Sequence, residues 1–239
     1  MKIVLLGYGK MGKMIEAIAL ERGHTIACTV STNKLSMMET EAFTTADVAI
    51  DFSTPTSVVH NIHTCFAKNI PVVVGTTGWN NELATITDQC NQQQQALLHA
   101  SNFSIGVNVF FAINKKLAQL MQPYPSYNIS MQEVHHLQKL DAPSGTGISL
   151  ANDILKNNNN YNDWVLLENK NSNTQIPIEA LRKPDVVGFH SITYNSPIDN
   201  ITISHDAHTR QGFAQGAVIA AEWLVGKKGV FTMNDVLGL

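Results

Sequence analysis

A short apolar segment at the start of the chain runs directly into a glycine-rich turn. The turn matches the pattern G-x-G-x-x-G and consists of Gly7, Tyr8, Gly9, Lys10, Met11 and Gly12. A helix-periodic segment follows, with Gly23 where such a helix would end. After a strand, glycines at this spacing allow a tight turn and let the backbone approach a pyrophosphate at the helix N-terminus. The sequence therefore predicts a dinucleotide site, and a glycine-rich turn of another α/β protein is the alternative.

The first hundred residues alternate strand-like apolar segments with helical ones. Strands are predicted at residues 2–6, 24–30, 47–52, 70–74 and 96–100, with helical patterns between them. This alternation is typical of an α/β fold with a Rossmann-like, doubly wound parallel sheet. In that architecture, ligands bind at the loops that follow the strand ends.

Three of these loops are built from small or hydroxylated residues, which leave room for a nicotinamide and offer hydrogen bonds to its carboxamide. They are 51–55 (DFSTP), 75–78 (GTTG) and 101–104 (SNFS). Ordinary connections between a strand and a helix are the alternative. That alternative is weaker at 75–78, because two threonines between glycines have no obvious packing role.

The pattern becomes rich in strands after a helix predicted over residues 107–121. The strand-like segments that follow lie at 127–134, 164–167, 188–194 and 200–205. They predict a second α+β domain with a mixed sheet, and an apolar helix at 212–225 is expected to pack back onto the first domain. We therefore expect a dinucleotide-binding domain at 1–105, completed by 212–239, and a substrate-binding domain at 106–211.

Composition excludes several classes of protein. A chain of 239 residues with 44% hydrophobic and 15% charged residues is typical of a soluble globular protein, and a formal charge of -3 is not that of a nucleic-acid-binding protein. No apolar run is long enough to span a bilayer, and the immediate first strand leaves no room for a signal peptide. Cys28, Cys65 and Cys90 form no C-x-x-C pair, so we expect buried thiols in a cytoplasmic protein.

The residues with the most evident chemistry lie at 133–146. His135 and His136 are adjacent, so at a strand end their side chains point to opposite faces and have different roles. Imidazoles transfer protons near neutral pH, and the ammonium of Lys139 can hold a carboxylate. Residues 144–146 (SGT) open a predicted helix, whose free N–H groups attract an anion. The segment predicts a site for a small, multiply charged acid that is protonated during reaction.

A metal site is not expected there, because no cysteine or further histidine lies nearby in the sequence at ligand spacing. Two polar tracts have simple interpretations. Gln92–Gln95 is expected to be a solvated helix end, and Asn157–Asn160 a solvated loop.

The segment at 133–146 (EVHHLQKLDAPSGT) resembles the signature of the bacterial 4-hydroxy-tetrahydrodipicolinate (dihydrodipicolinate) reductases of the diaminopimelate route to lysine. The similarity extends to 75–78, 102–108 and 235–239, and so spans essentially the whole chain. It implies an NAD(P)H-dependent enzyme. In the implied reaction a hydride enters the six-membered ring of the substrate, the ring hydroxyl is lost as water, and tetrahydrodipicolinate is formed.

The resemblance also implies roles for individual residues. His135 matches the general acid, and Lys139 a second proton donor or substrate-activating group. The substrate carboxylates would be held by His136, Lys139, Ser144, Gly145 and Thr146. The adenine and pyrophosphate would contact Gly7 to Gly12, and the nicotinamide would contact Gly75, Thr76, Thr77, Ala100, Ser101, Asn102 and Phe103. Members of the family are generally homotetramers joined through the sheet of the second domain.

The end of the second predicted strand bears on the choice of cofactor. A NAD-binding Rossmann site usually has an acidic residue there. This chain has Ser31 at that place, followed by Thr32, and Lys34 comes two residues after Thr32. No carboxylate repels a 2′-phosphate, and Lys10 and Lys34 are expected nearby. We therefore predict that NADPH is preferred and that NADH is also used.

Two other functions account for part of the sequence. Another nicotinamide oxidoreductase of an amino dicarboxylate, such as an aspartate dehydrogenase, explains the Rossmann half but not the segment at 133–146. A non-catalytic NAD(P) sensor is expected to lack the proton donor or the carboxylate-binding groups, and both are present in this sequence.

Overall fold

The computed structural model describes residues 1–31 and 33–239, so Thr32, named above beside the cofactor residues, lies outside the described residues. The strands in chain order are β1 (Lys2–Leu6), β2 (Thr25–Val30), β3 (Val48–Asp51), β4 (Val72–Val74), β5 (Ala96–His99), β6 (Asn128–His135), β7 (Asp163–Leu166), β8 (Gln175–Arg182), β9 (Gly188–Asn195), β10 (Asn200–Ala207) and β11 (Gly229–Phe231). The α-helices are α1 (Lys10–Glu21), α2 (Glu41–Thr44), α3 (Val58–Ala67), α4 (Leu83–Gln92), α5 (Ile105–Met121), α6 (Gly145–Asn157), α7 (Gln211–Leu224) and α8 (Met233–Leu237).

The chain divides into two compact units. The first unit contains Met1–Ile105 together with Gln211–Leu239, and the second contains Gly106–Arg210. The C-terminal elements α7, β11 and α8 therefore belong to the same unit as the glycine-rich turn.

A parallel sheet of six strands, in the order β11-β5-β4-β3-β1-β2, forms the centre of the first unit. Successive residues of β1 point to opposite faces, so Val4 and Leu6 enter one hydrophobic core while Ile3 and Leu5 enter the other. Because helices cover both faces, these strands are apolar at nearly every position. The predicted doubly wound, Rossmann-like sheet is confirmed.

Different helices cover the two faces of this sheet. One face packs against α3 and α4, with Ile62 and Ile86 in its core. The other packs against α1 and α7, where the small residues of α7, such as Ala217 and Ala221, allow close approach to the strands. The carboxyl ends of the strands meet at one edge of the sheet, and the glycine-rich turn lies there.

The second unit is built on a mixed sheet of five strands, in the order β10-β9-β6-β8-β7. The central strand β6 runs parallel to β8 and antiparallel to β9. Apolar side chains from alternate positions of β6, β8 and β9, such as Met131, Ile178 and Ile192, pack against α5 and α6. The second predicted α+β domain with a mixed sheet is therefore present.

Some details differ from the sequence prediction. No strand is predicted at β8, and the structure forms one there although it contains Pro177, which cannot donate a hydrogen bond to a ladder. In the structure Pro177 pairs only with β7, while the ladder to β6 begins one residue later, at Ile178. The polar tracts are not fully solvated either, since Gln95 and Asn158 are buried. Among the described residues, no helix is both long and apolar enough to cross a membrane.

Candidate active site

The glycine-rich turn is closed on one side and open on the other. Gly7 has a φ of +90°, and a Cβ there would lie 2.2 Å from the carbonyl oxygen of Phe52. A Cβ at Gly12 would lie 2.3 Å from the carbonyl oxygen of Gly7. At Gly9, which precedes α1, a Cβ would meet nothing within 4 Å. The open backbone at a helix N-terminus fits the pyrophosphate of a dinucleotide.

A cavity of about 340 Å³ adjoins this turn. Its lining includes Gly7, Tyr8, Gly9, Ser31 and Leu35, so the structure brings the predicted turn and the end of β2 together. The predicted cofactor residues Lys10 and Lys34 are exposed, and neither forms an ion pair within residues 1–31 and 33–239.

A second cavity, of about 270 Å³, is lined by Met11, Gly75, Thr76 and Thr77 among others. Phe52 and Ser53 line both cavities, so the two are neighbours along the carboxyl edge of the sheet. The loop at 75–78 therefore faces the same region as the glycine-rich turn.

A buried carboxylate fixes the loops that follow β3 and β4. One oxygen of Asp51 accepts hydrogen bonds from the Ser53 N–H at 3.0 Å, the Ser53 hydroxyl at 2.7 Å and the Thr76 hydroxyl at 2.6 Å. The other oxygen accepts from the Asn61 amide at 2.7 Å. Asp51 is 0% exposed, and these donors satisfy its charge. The Thr76 side chain thus holds its loop in place, while its backbone carbonyl accepts from the Trp79 indole at 2.8 Å.

The loop after β5 is fixed by close packing. Phe103 is buried, and its ring lies 5.7 Å from that of Phe52. A Cβ at Gly216 of α7 would lie 1.7 Å from the Phe103 carbonyl oxygen, and a Cβ at Gly75 would lie 2.2 Å from the Phe52 ring. Of the other predicted nicotinamide contacts, Ala100 is half-buried at the end of β5 and Ser101 is exposed. The Asn102 side chain accepts from the Ser104 N–H at 2.9 Å.

In the second unit, Glu133 of β6 joins the strand to the start of α6. Its two oxygens each lie 3.0 Å from the Ser144 nitrogen, and one also accepts from the Ser144 hydroxyl at 2.5 Å. The Ser144 hydroxyl in turn caps α6 by accepting from the Gly147 N–H at 3.0 Å. A Cβ at Gly147 would lie 2.5 Å from Glu133, so glycine is needed for this approach.

These bonds change the expectation for Ser144, which is predicted to offer its hydroxyl to the substrate. Its N–H and hydroxyl already bind Glu133, and only 2% of the residue is exposed. Gly145 is exposed, Thr146 is half-buried, and a Cβ at Gly145 would meet nothing within 4 Å. The open part of this helix start therefore consists of Gly145 and Thr146.

His135, the last residue of β6, lies in a buried group of ionisable side chains. Its Nδ1 is 3.7 Å from the Glu133 carboxylate, and its ring packs edge-on against His190, with centroids 5.1 Å apart. Burial lowers the pKa of His135, opposed by Glu133 and reinforced by the charges of Lys139 and Arg182. Burial also lowers the pKa of His190, to about 3, so that this imidazole is neutral.

Lys139 lies close to His135 but is held by other partners. Its ammonium binds both oxygens of Asp141 at 2.8 and 2.9 Å, and this contact holds the pKa of Asp141 below its usual range. The Arg182 guanidinium donates to the backbone carbonyls of Lys139 and Asp141 and thereby orders the loop after β6. His136 is less buried than His135, and its Nε2 is 3.3 Å from the Arg210 guanidinium. The two adjacent histidines therefore have different surroundings, while the different roles expected for them stay a prediction.

The absence of a metal site is predicted only from neighbours in the sequence, whereas the structure brings His190 beside Glu133 and His135. Ligand atoms of Glu133, His135 and His190 all lie within 4.8 Å of one another. The Glu133 oxygens are already bound by Ser144, and His190 Nε2 is 3.1 Å from the Ser144 hydroxyl. Glu133 and His190 therefore already have hydrogen-bond partners in Ser144 and do not need a metal ion to satisfy them.

Sequence reasoning assigned no role to Glu133, Arg182 or His190. Strand pairing places all three at one site, because Glu133 pairs with His190 on β9, and His135 pairs with Arg182 on β8. The register of β6, β8 and β9 would have revealed this arrangement, but that register depends on contacts between residues far apart in the chain.

Comparison with known proteins decides the family. A family model described as "Dihydrodipicolinate reductase, N-terminus" matches residues 1–103, and one described as "Dihydrodipicolinate reductase, C-terminus" matches residues 106–237. The chain belongs to the dihydrodipicolinate reductase family. The resemblance carried by residues 133–146 is therefore confirmed, and the nicotinamide cofactor of the family fits the open turn at Gly9.

Individual dihydrodipicolinate reductases match over nearly their whole length. A 4-hydroxy-tetrahydrodipicolinate reductase of Christiangramia forsetii is 49% identical, covering 99% of this chain and 98% of the relative. One from Akkermansia muciniphila is 37% identical, covering 97% and 95%. A solved structure, the dipicolinate-bound dihydrodipicolinate reductase of Paenisporosarcina sp. TG-14, has a TM-score of 0.79 at 23% identity and covers 97% of each chain. At 23% identity, this structural match shows that the two chains share a fold.

Proposed function

We propose that this member of the family reduces 4-hydroxy-tetrahydrodipicolinate to tetrahydrodipicolinate in lysine biosynthesis. Both family models and the names of the relatives support this reaction over an aspartate dehydrogenase or a sensor. The structural observation that carries the proposal is the link from Glu133 to Ser144, which places the His135 strand end beside the start of α6. A proton donor and an anion-binding helix start thus lie in one place.

The reaction requires one hydride, one proton and the loss of one water. The reduced nicotinamide supplies the hydride to the substrate ring when it is bound. We assign the proton to His135, which protonates the departing hydroxyl, and Lys139 acts as a second donor or activating group. The N–H groups of Gly145 and Thr146, with His136 and Lys139, hold the two carboxylates. Ser144 contributes indirectly, by fixing the helix start.

We assign the cofactor to the two neighbouring cavities of the first unit. The turn from Gly7 to Gly12 would hold the pyrophosphate, and Thr76, Thr77 and the loop from Ala100 to Phe103 would hold the nicotinamide. NADPH is preferred, because Ser31 lines the larger cavity where an acidic residue would repel a 2′-phosphate. Comparison of kcat/KM for NADPH and NADH tests this preference, and a higher value with NADH would overturn it.

We also propose that the protein is a cytoplasmic homotetramer assembled through the second-unit sheet. The face of this sheet opposite α5 and α6 carries polar side chains around a hollow of about 420 Å³ lined by Gln132, Glu179, Ser191 and Thr193 among others. The three buried, unpaired cysteines suit a reducing compartment. Light scattering of the purified protein should give the mass of four chains, and a monomeric mass would contradict the assembly.

The activity is tested by following oxidation of NADPH through its absorbance. Pyruvate and aspartate semialdehyde, with the preceding synthase, generate the unstable substrate in place. Oxidation that requires all these components supports the proposed reaction. A folded protein that binds NADPH but does not oxidise it in the complete mixture would overturn the reaction and leave the cofactor site intact.

A further inference from the structure

The proposed mechanism uses Glu133, the most buried charged group of the second unit, only as a structural link to Ser144 and gives its charge no role. Glu133 is 1% exposed, and burying a carboxylate is costly unless hydrogen bonds or opposite charges compensate it. Its oxygens accept from the N–H and the hydroxyl of Ser144. One oxygen also lies 3.7 Å from His135 Nδ1 and 3.7 Å from the Arg182 guanidinium.

We propose that Glu133 is a positioning residue that couples the proton donor His135 to the carboxylate-binding start of α6. The inference rests on the proposed function, because it assigns these two roles to His135 and to the helix start. One carboxylate serves both elements. Its hydrogen bonds hold α6 against β6, and its charge faces the imidazole.

The imidazole geometry supports the electrostatic part of this role. His135 Nδ1 is buried and has no hydrogen-bond partner among the described residues. A separation of 3.7 Å is too long for a hydrogen bond, but a carboxylate at that distance favours the protonated ring. A general acid must carry its proton before the reaction, so the nearby negative charge increases the fraction of active enzyme.

The opposite edge of the ring lies beside Gly188. A Cβ there would lie 3.4 Å from His135 Nε2, an ordinary van der Waals contact, so the backbone of β9 runs next to the nitrogen that is free for proton transfer. With Nδ1 turned toward Glu133, Nε2 is left to face the substrate. Other catalytic histidines also have a carboxylate beside one ring nitrogen while the other nitrogen transfers the proton, but here the carboxylate acts through its charge and not through a hydrogen bond.

Several charged or titratable groups act on His135 in addition to Glu133. They come from every element packed against it and are Lys139 and Asp141 of the following loop, Arg182 of β8 and His190 of β9. Lys139 and Arg182 oppose protonation of His135, Asp141 favours it, and His190 is neutral. Removal of the Glu133 charge therefore leaves two cations against the single carboxylate of Asp141, and the pKa of His135 should fall further.

The test is an NMR titration of the His135 imidazole, assigned through a His135→Gln variant, in the wild-type protein and in Glu133→Gln. Glutamine can still bind Ser144 but carries no charge. We expect the pKa of His135 to fall by about one unit or more in Glu133→Gln, as is typical for loss of an adjacent opposite charge. Turnover should fall at neutral pH while NADPH affinity is kept. An unchanged His135 pKa in the folded variant would overturn the proposal.

Three further variants separate charge from structure. Glu168→Gln removes an exposed carboxylate of the same unit and should leave the His135 pKa unchanged. Ser144→Ala should raise KM for the substrate with little change in that pKa. Glu133→Asp keeps the charge but shortens the side chain. The pKa of His135 should therefore stay close to its wild-type value, while affinity for the substrate falls. A pKa that falls as far in Glu133→Asp or Glu168→Gln as in Glu133→Gln would refute the coupling.

The titration requires no substrate, so its outcome is independent of the reaction assigned above. Failure of the wild-type protein to reduce the substrate would overturn the proposed function alone. A normal reduction combined with an unshifted His135 pKa in Glu133→Gln would overturn the coupling alone.

Discussion

At the scale of single residues, two adjacent histidines illustrate how strand geometry separates chemical roles. His135 ends β6 and turns into a buried group that contains Glu133 and His190. His136 is half-buried and lies beside Arg210. The alternation of side chains along a strand is sufficient to predict this difference. The identity of the partners depends on the pairing of β6 with β9.

The role of His135 leads to a direct mutational prediction. His135→Gln should lower kcat by about 10²- to 10⁴-fold, the usual contribution of general acid catalysis. The dissociation constant for NADPH, measured by fluorescence titration, should stay near the wild-type value, because the residue is outside the cofactor unit. A kcat close to wild type would remove His135 from the mechanism, and loss of NADPH affinity would show that the residue is misassigned.

At the scale of elements, the turn between β1 and α1 combines a structural glycine with a functional one. Gly7→Ala should destabilise the fold by roughly 2 kcal/mol or more, because it places a Cβ 2.2 Å from a carbonyl oxygen at positive φ. Gly9→Ala should keep the wild-type stability, because its Cβ meets nothing within 4 Å, but it should weaken NADPH binding. Urea unfolding and fluorescence titration measure the two effects. Equal losses of stability in both variants would contradict this account.

The elements that sequence predicted well are those with a local signal. Strand β1, the glycine-rich turn and α1 follow from apolar periodicity and glycine spacing within about twenty residues. Strand β8 is not predicted from the sequence, and in the structure its Pro177 is accommodated because it lies outside the ladder to β6. The tract residues Gln95 and Asn158 are expected to be solvated, but both are buried by tertiary contacts that composition does not reveal.

The candidate site also contains a part that local sequence predicts and a part that depends on tertiary contacts. The segment at 133–146 is contiguous, so its residue types alone indicated a site for a charged acid. Arg182 and His190 come from other strands and reach the site only through sheet register. Ser144 was expected to face the substrate, and only the structure shows that its polar atoms bind Glu133 and cap α6.

At the scale of the whole molecule, the buried His190 links stability to pH. Its pKa is about 3 in the folded protein, below the ordinary value of 6.5. Between these values the unfolded chain binds a proton that the folded chain does not, so the free energy of unfolding falls as pH decreases from 6.5 toward 3. The contribution is fully present above pH 6.5.

A pair of histidine variants tests this linkage by urea unfolding at pH 7 and pH 5. The wild-type protein should lose about 1–2 kcal/mol through His190 over this interval, since one pKa unit corresponds to about 1.4 kcal/mol. His190→Asn should lose less with pH, although it is less stable at pH 7. His60→Asn, at an exposed position of α3, should keep the wild-type dependence. An unaltered pH dependence in His190→Asn would rule out the linkage.

The central claim is that one hydride from the cofactor and one proton from the protein replace a ring hydroxyl by hydrogen. The most direct measurement is mass spectrometry of the product formed with NADPH deuterated at its transferable position, in the wild-type protein. We predict that each product molecule carries one deuterium and has lost the substrate hydroxyl as water. A product that keeps the hydroxyl, or that carries no deuterium although the cofactor is oxidised, would contradict the assigned reaction.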